Sequence, residues 1–226
     1  EQTENLIRQK MCELTGDEGW NGNGQDVKTL TLEHHMASTR MGFSNFFNPL
    51  YSVKRLKDGL LDGSLSSVSL FTNVILPIYN AFLAGNKFEI ASIVKKHSPL
   101  VSKQMIQENK EQLKAFQEAS TNVQNLLKLW TSDNQPSLFE ILKEINTSGL
   151  FQLPNVFKLV LARADSATPD DELEKEDDDE VLLAWENALQ SSFDEIIKYN
   201  EYISDESAFG THQGVKGLEY DRVMVV

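Results

Sequence analysis

A glycine-punctuated polar turn near the end of the chain carries the residues best suited to chemistry. It reads Thr211-His212-Gln213-Gly214-Val215-Lys216-Gly217-Leu218-Glu219-Tyr220. Glycines let backbone amides approach a phosphate closely, and the Thr211 hydroxyl and Gln213 amide can hydrogen-bond a sugar-phosphate backbone without reading its sequence. The turn therefore predicts a contact to a phosphodiester chain. The alternative is an ordinary turn that leads into a strand.

The other reactive side chains form weaker patterns. His34 and His35 are adjacent, so their rings point apart on a helix or strand, and no third ligand with zinc spacing accompanies them. We interpret them as capping or surface residues, with a nucleotide-proximal His34 as the second interpretation, and we predict no metal site. Cys12 lies near the apolar face of a predicted helix, which favours a core position over a nucleophile.

The charge balance limits the classes of protein to consider. The 226 residues include 34 Asp and Glu against 21 Lys and Arg, a formal charge of -13. This sign argues against a simple duplex-binding module, whose affinity comes largely from neutralised phosphates. The single cysteine fits a reducing compartment, and the apolar stretch 70–84, interrupted by Pro77, is too short to span a bilayer. We expect a cytoplasmic protein with no membrane contact.

Hydrophobic periodicity indicates which elements position these residues. It predicts a helix over 5–14, a strand over 27–32, a helix starting at 34, and helices through most of 43–205. Pro77 is expected to kink or divide one of these helices. The acidic run 165–179 predicts a mobile, solvated loop, with a DNA-mimicking strip as the minor alternative. A single helix is predicted over 181–203, and 222–226 resembles a strand buried on both faces.

The turn at 211–220 resembles motif V of UvrD/Rep-like superfamily 1 DNA helicases. That motif has the form Thr-x-His-x-x-Lys-Gly-Leu-Glu-Phe and is followed by an apolar strand. The matching residues are Thr211, Lys216, Gly217, Leu218 and Glu219, with Tyr220 in place of the phenylalanine. The family histidine falls on Gln213, and His212 stands one position earlier.

A second segment resembles motif IV of the same family. Leu32-Glu33-His34-His35-Met36-Ala37-Ser38-Thr39-Arg40 follows a predicted strand, as does the family form Leu-Tyr-Arg-Ser-Asn-Ala-Gln-Ser-Arg. The arginine that faces the nucleotide phosphate in the family falls on His34, which is shorter and mostly neutral near pH 7.

The order of elements agrees with this resemblance. In the family, motifs IV and V lie in subdomain 2A, and the helical subdomain 2B is inserted between them. The resemblance therefore implies a mainly α fold with a small α/β part, in which a 2B-like insertion interrupts a partial P-loop-helicase 2A domain. Residues 1–44 and 207–226 would form the 2A-like part, and residues 45–206 the insertion.

The resemblance also assigns expected roles. Thr211, Gln213, Lys216 and Gly217 would contact single-stranded DNA, and Glu219 and His34 would face ATP. The sequence has no Gly-x-x-x-x-Gly-Lys-Ser/Thr loop, no acidic motif after a strand and no later arginine motif. We therefore expect no catalytic residues in this chain, which we take as a fragment that binds neither ATP nor Mg²⁺ alone and has no ATPase activity.

The parent protein would be an ATP-dependent helicase of DNA repair that uses ATP and Mg²⁺ and binds single strands and duplex junctions. A nuclease or repair protein is the expected partner of the 2B-like part. Two alternatives stay open. One is a helicase subunit of a nuclease-coupled repair or defence complex, and the other is a non-enzymatic helical interaction module.

Overall fold

A computed structural model describes residues 2–22, 26–101, 112–130, 135–165, 176–204, 207–211 and 215–226. These residues are mainly helical with one small parallel sheet, so the predicted mainly α class with a small α/β part is confirmed. The chain divides into two compact units. One, here called the sheet unit, comprises Glu1–Ser44 and Lys198–Val226, and the other, the helical unit, comprises Asn45–Ile197.

Both ends of the chain build the sheet unit. Its elements in chain order are α1 (Gln2–Thr15), a 3-10 turn (Glu18–Asn21), β1 (Lys28–Thr31), α2 (His34–Met41), β2 (Phe209–Thr211) and β3 (Val223–Val225). The strands are parallel in the order β2-β1-β3, so the strand from the beginning of the chain lies between the two from its end.

Burial follows from this strand order. All four residues of β1 are buried, as expected for a central strand of a parallel sheet covered on both faces. The prediction that the last strand is buried on both faces is wrong. Met224 is buried, whereas Val223 and Val225 are 39% and 61% exposed. Successive side chains of a strand point to opposite faces, so β3 is covered on the face of Met224 and open on the face of Val223 and Val225.

Helix α1 is amphipathic as predicted, and it begins and ends close to the predicted positions. Its apolar side chains do not enter a core, since Leu6 and Leu14 are 66% and 70% exposed. Its polar side makes the contacts instead: Glu4 pairs with Arg40, and Arg8 donates a hydrogen bond to Thr29 Oγ1 at 3.2 Å. Cys12, predicted as a core residue, is half-buried.

The helical unit lies between these two parts of the sequence. Its elements in order are α3 (Ser44–Ser52), α4 (Lys54–Leu61), α5 (Ser66–Leu70), α6 (Leu76–Leu83), α7 (Lys87–His97), α8 (Gln112–Leu127), α9 (Leu138–Ser148), α10 (Asn155–Asp165), α11 (Glu176–Ala188) and α12 (Phe193–Ile203). The boundaries between the two units fall inside α3 and α12. Interlocking aromatic rings form the core, with Trp185 edge-on to Phe157 at 4.9 Å and Tyr79 stacked on Trp130 at 5.3 Å.

Pro77 does not divide its helix. Residues Phe71–Ile75 form a π-helical turn that joins α5 to α6, and the Leu76 N–H donates to Phe71 O. Proline has no N–H and crowds the preceding turn, and the wider π turn accommodates that loss. The resulting stretch Ser66–Leu83 has 18 residues and a mean hydropathy of 1.3, long and apolar enough to cross a bilayer. It is 56% buried within the structure, as core helices are, and it is longer than the sequence interpretation supposed.

The predicted single helix over 181–203 is wrong. The chain leaves the helical conformation after Ala188 and resumes it at Phe193. In the break, Ser191 O and Leu189 O accept hydrogen bonds from the Leu138 and Phe139 amides at the start of α9. Tertiary backbone pairing therefore replaces one turn of helix that the apolar pattern favoured.

The acidic run is divided. Residues 166–175 lie outside the described part of the chain, but Asp178 and Asp179 belong to α11 and were wrongly predicted as loop. Their carboxylates pair with Arg55 at 2.9 Å and with Arg163 at 3.3 Å. An acidic first turn also suits the positive end of a helix dipole, so these charges are compatible with helix formation.

Candidate functional site at the carboxyl edge of the parallel sheet

The two segments singled out in the sequence leave the sheet at the same edge. Thr31 is the last residue of β1, Thr211 is the last residue of β2, and the two are paired in register. Thr31 Oγ1 donates to Glu33 O at 3.2 Å, which turns the chain into α2. The carboxyl edge of a parallel sheet is where open α/β folds bind ligands. Parallel pairing thus places the start of α2 close to Thr211, at the end of β2.

His34 is the first residue of α2 and is half-buried. Its Nδ1 lies 2.7 Å from Tyr202 Oη, and the two rings meet edge to face with centroids 6.1 Å apart. Tyr202 in turn packs on Phe43, 5.2 Å between centroids, so the histidine is held by an aromatic stack. His35 has a different partner, Glu33 Oε2 at 2.9 Å, and the two histidines do not share a ligand.

The tyrosine contact decides what His34 can offer a ligand. If Tyr202 donates to Nδ1, the neutral ring carries its proton on Nε2 and can donate to an anion. A protonated ring would donate from both nitrogens, and Tyr202 would then accept. His34 also lies at the amino end of α2, where backbone N–H groups favour negative charge such as that of a phosphate.

The motif V residues are distributed over a buried strand end and an exposed turn. Thr211 is 4% exposed, and its carbonyl accepts the Val215 N–H at 3.2 Å, which closes the turn. Lys216 and Gly217 are exposed, and Gly217 has φ +88°, a left-handed conformation in which a side chain would be strained. Gln213 lies outside the described residues. Of the four predicted DNA contacts, Lys216 and Gly217 lie at the surface and Thr211 does not.

Glu219 is exposed on the segment that leads to β3. The next residue, Tyr220, has its ring 5.2 Å from the ammonium of Lys28, the first residue of β1. His34, in contrast, follows the last residue of β1. The structure therefore places the two predicted ATP residues towards opposite ends of the central strand and does not bring them into contact.

Lys28 is a site residue that sequence reasoning did not identify. It is buried, its ammonium donates to Ser207 O, and its Cε would lie 3.1 Å from a Cβ added at Gly210. The lysine thus links the start of β1 with β2 and with the tyrosine of motif V. A lysine inside an apolar strand pattern is a signal for such a role, because burial of an ammonium requires partners.

Two arginines join the elements of the sheet unit. Arg40 pairs with Glu4 of α1 and lies over the Phe209 ring at 5.4 Å, which joins α1, α2 and β2. The hydrogen bond from Arg40 lowers the pKa of Glu4 below its ordinary value of 4.5. Arg222, just before β3, donates to both carboxylate oxygens of Asp17 at 2.7 and 2.8 Å. This bond lowers the pKa of Asp17 and raises that of Arg222.

The surface around β1 suits contacts to a nucleotide better than it suits a metal ion. A histidine at a helix start lies at the carboxyl edge, and the exposed carboxylate of Glu219 lies towards the other end of β1. The described residues contain no cluster of three His, Cys, Asp or Glu side chains with metal-binding geometry. Comparison of the chain with protein-family models, curated proteins and solved structures gives no significant match. The resemblance to the helicases therefore rests on residues 32–40 and 211–220 and on the order of the elements.

Proposed function

We propose that this chain is part of a UvrD/Rep-like, ATP-dependent DNA helicase of the reducing cytoplasm. In this proposal the sheet unit is the 2A-like part and the helical unit is the 2B-like arm. One observation carries the proposal: β1, which precedes motif IV, lies between β2 and β3, which flank motif V. The two motifs share one sheet although more than 170 residues separate Thr31 from Thr211 in the sequence.

The proposed DNA contact is the exposed turn of motif V. Lys216 supplies a cation, Gln213 an amide, and Gly217 an open backbone approach, and none of these groups distinguishes one base from another. Binding to single strands should therefore be weak, salt-sensitive and indifferent to sequence. The acidic chain as a whole repels DNA, which confines the contact to this local surface.

The proposed nucleotide contact combines His34, held by Tyr202, with Glu219. A hydroxyl-rich ribose suits the carboxylate of Glu219 as a hydrogen-bond acceptor, and the imidazole of His34, at the amino end of α2, suits a phosphate oxygen as a partner. Bound ATP with Mg²⁺ would supply the phosphoryl group whose hydrolysis drives translocation in the parent protein. The phosphate cradle, metal ligands and charge-stabilising arginine needed for hydrolysis would come from other parts of that protein.

The decisive experiment measures binding of a fluorescein-labelled oligo-dT to the full chain by anisotropy at several salt concentrations. We expect Gln213→Ala to weaken binding roughly fivefold, the effect of about one lost hydrogen bond. Lys216→Ala should weaken it and reduce the slope of log K against log salt by about 0.7, the value for one phosphate contact on a single strand. Lys158→Ala, an exposed lysine of the helical unit, is the matched control and should leave binding unchanged.

Absence of binding at every salt concentration would reject the DNA contact. Equal weakening by Lys158→Ala and Lys216→Ala would show that only total charge matters and that motif V has no special part. The nuclease-coupled helicase complex makes the same predictions for this surface. The non-enzymatic interaction module predicts no DNA binding, and the apolar groove described below is the feature that favours it.

A further inference from the structure

The helical unit contains an open groove that the helicase proposal does not use. Its volume is about 450 Å³, and it lies between α7 and α8, with Phe82 at the end of α6 forming part of one wall. Its floor is buried, with Val94, Ala119 and Val123 between 2% and 7% exposed. Its walls are open, since Phe82 and Phe116 are 44% and 45% exposed.

The lining has helical spacing on both sides. On α7 the lining residues are 87, 90, 91, 94 and 95, and on α8 they are 116, 119, 120, 123, 124 and 127. Each set is one continuous face of a helix. At 1.5 Å per residue the α8 face is about 16 Å long, which matches roughly three turns of a helix placed alongside.

The charged lining residues are both cationic. Lys87 and Lys95 line the groove, and Lys96 follows on the same helix. In a chain with a formal charge of -13 this is a local reversal of sign. A partner that fits must therefore offer apolar side chains for the floor and negative charge near the two lysines.

Further apolar side chains are exposed on the helices that form the groove. Leu83 and Leu113, on α6 and α8, are 65% and 72% exposed. Exposed apolar side chains on groove-forming helices favour an interaction surface. A small apolar ligand is a poorer fit, because ligand pockets enclose most of their ligand's surface, whereas two phenylalanines of this groove stand open to solvent.

We propose that the groove between α7 and α8 binds an acidic amphipathic helix of a partner protein. Apolar residues of that helix at positions i, i+4 and i+7 pack on Val94, Ala119 and Val123 between the two phenylalanines. Acidic residues flanking the apolar stripe pair with Lys87 and Lys95. This is the helix-in-groove mode of recognition, in which anchors at helical spacing give affinity and the rim charges give orientation.

The test uses the full chain and a labelled 18-residue designed helix with leucines at i, i+4 and i+7 and glutamates at its flanks. Binding is measured by anisotropy. The comparison probes are a peptide of the same composition in scrambled order, a peptide in which lysines replace the glutamates, and an oligo-dT. We expect the acidic helix to bind at least about tenfold more tightly than each of these, a difference of about 1.4 kcal/mol.

Matched variants locate the binding surface. The double variant Lys87→Glu and Lys95→Glu should bind the acidic helix about tenfold more weakly and the lysine-flanked helix more tightly. Lys96→Glu, beside the groove, should change the affinity for either helix by less than about twofold. Phe82→Ser should weaken binding and Phe88→Ser should not, although Phe88 is the more exposed side chain. Circular dichroism checks that every variant is folded.

Several outcomes would overturn the proposal. One is equal affinity for the acidic and the basic helix. Another is an equal loss of affinity for the acidic helix in the groove variants and in their neighbouring controls. Preferential binding of oligo-dT that Phe82→Ser removes would make the groove a base-stacking surface. Failure of every peptide to bind would reject a helix partner. None of these results bears on the motif V turn, so the helicase proposal is tested separately.

Discussion

The sheet unit and the helical unit are stabilised in different ways. In the helical unit the largest buried side chains are aromatic and interlock, as Trp185, Phe157 and Phe71 do. In the sheet unit, charged groups make many of the tertiary contacts: Arg40 with Glu4, Arg222 with Asp17, and Lys28 with Ser207 and Tyr220. Aromatic packing is insensitive to pH and salt, whereas partly exposed ion pairs depend on both.

This difference suits the proposed roles. A unit held by charged side chains can rearrange when a polyanion or nucleotide approaches, because the contacts that position its loops are themselves electrostatic. A unit with a rigid aromatic core can act as an arm that carries a binding surface. Four substitutions test the contrast, in order of decreasing effect.

The largest effect is expected for Trp185→Ala. The indole is 1% exposed and packs edge-on against Phe157, so its removal leaves a large cavity and should lower the free energy of unfolding by about 3–5 kcal/mol. Urea denaturation followed by circular dichroism measures the change. Leu183→Ala, on the same helix and 56% exposed, should stay within about 0.5 kcal/mol of the unchanged chain. A similar loss in both would contradict the aromatic-core description.

Glu195→Ala should cause the second-largest loss of folding stability. This carboxylate is 7% exposed, and it accepts hydrogen bonds from Asn45 Nδ2 at 2.8 Å and from the Phe46 N–H at 2.9 Å in the first turn of α3. Removing it leaves two donors unsatisfied, at a cost of about 1–3 kcal/mol. Thermal unfolding should show a clear decrease that Glu118→Ala, on an exposed face of α8, does not reproduce. An unchanged unfolding temperature would mean that water satisfies the two donors as well as the carboxylate does.

Glu4→Gln tests the electrostatic character of the sheet unit. Because Arg40 lowers the pKa of Glu4 in the folded state, the ion pair stabilises the fold above pH 4.5, and that contribution is lost as the pH falls through the lowered pKa. We expect Glu4→Gln to lower the free energy of unfolding by about 1 kcal/mol at pH 7 and by progressively less as the pH falls below 4.5. Unfolding measured across pH 3–7 gives both values. Glu13→Gln, whose partner Lys10 is exposed, is the control, and a pH-independent cost would refute the assignment.

Gly19→Ala should have the smallest and most local effect. A Cβ at Gly19 would lie 2.1–2.5 Å from the guanidinium of Arg222, which must then move away from Asp17. The pKa of Asp17, lowered chiefly by that hydrogen bond, should rise towards its ordinary value of 3.8, as an NMR titration would show. In an Arg222→Ala background the same substitution should change the pKa of Asp17 little. Equal shifts in both backgrounds would mean that Gly19 acts without Arg222.

Part of this arrangement was readable from the sequence. Apolar spacing predicted α1, the start of α2 at His34 and helices through most of 43–205, and the run 27–32 predicted β1. These features depend on local periodicity, which neighbouring residues determine.

The errors lie where distant residues intervene. Residues 181–203 are two helices because backbone groups at 189–193 pair with those at 136–139. The last strand has one exposed face because tertiary packing covers Met224 but leaves Val223 and Val225 open, and no local pattern contains that packing. Tyr202 could not be predicted as the partner of His34, since 168 residues separate them.

The sequence by itself determined the helical character of the chain, the positions of its two motif-like segments and the polar chemistry that they offer. The tertiary structure alone decided that these segments leave one parallel sheet at the same edge, that Thr211 is buried while Lys216 is exposed, and that Lys28 and Tyr202 position them. The physical reason is the range of the interactions. Helix formation depends on residues three or four positions apart, whereas strand pairing and side-chain burial depend on residues that only folding brings together.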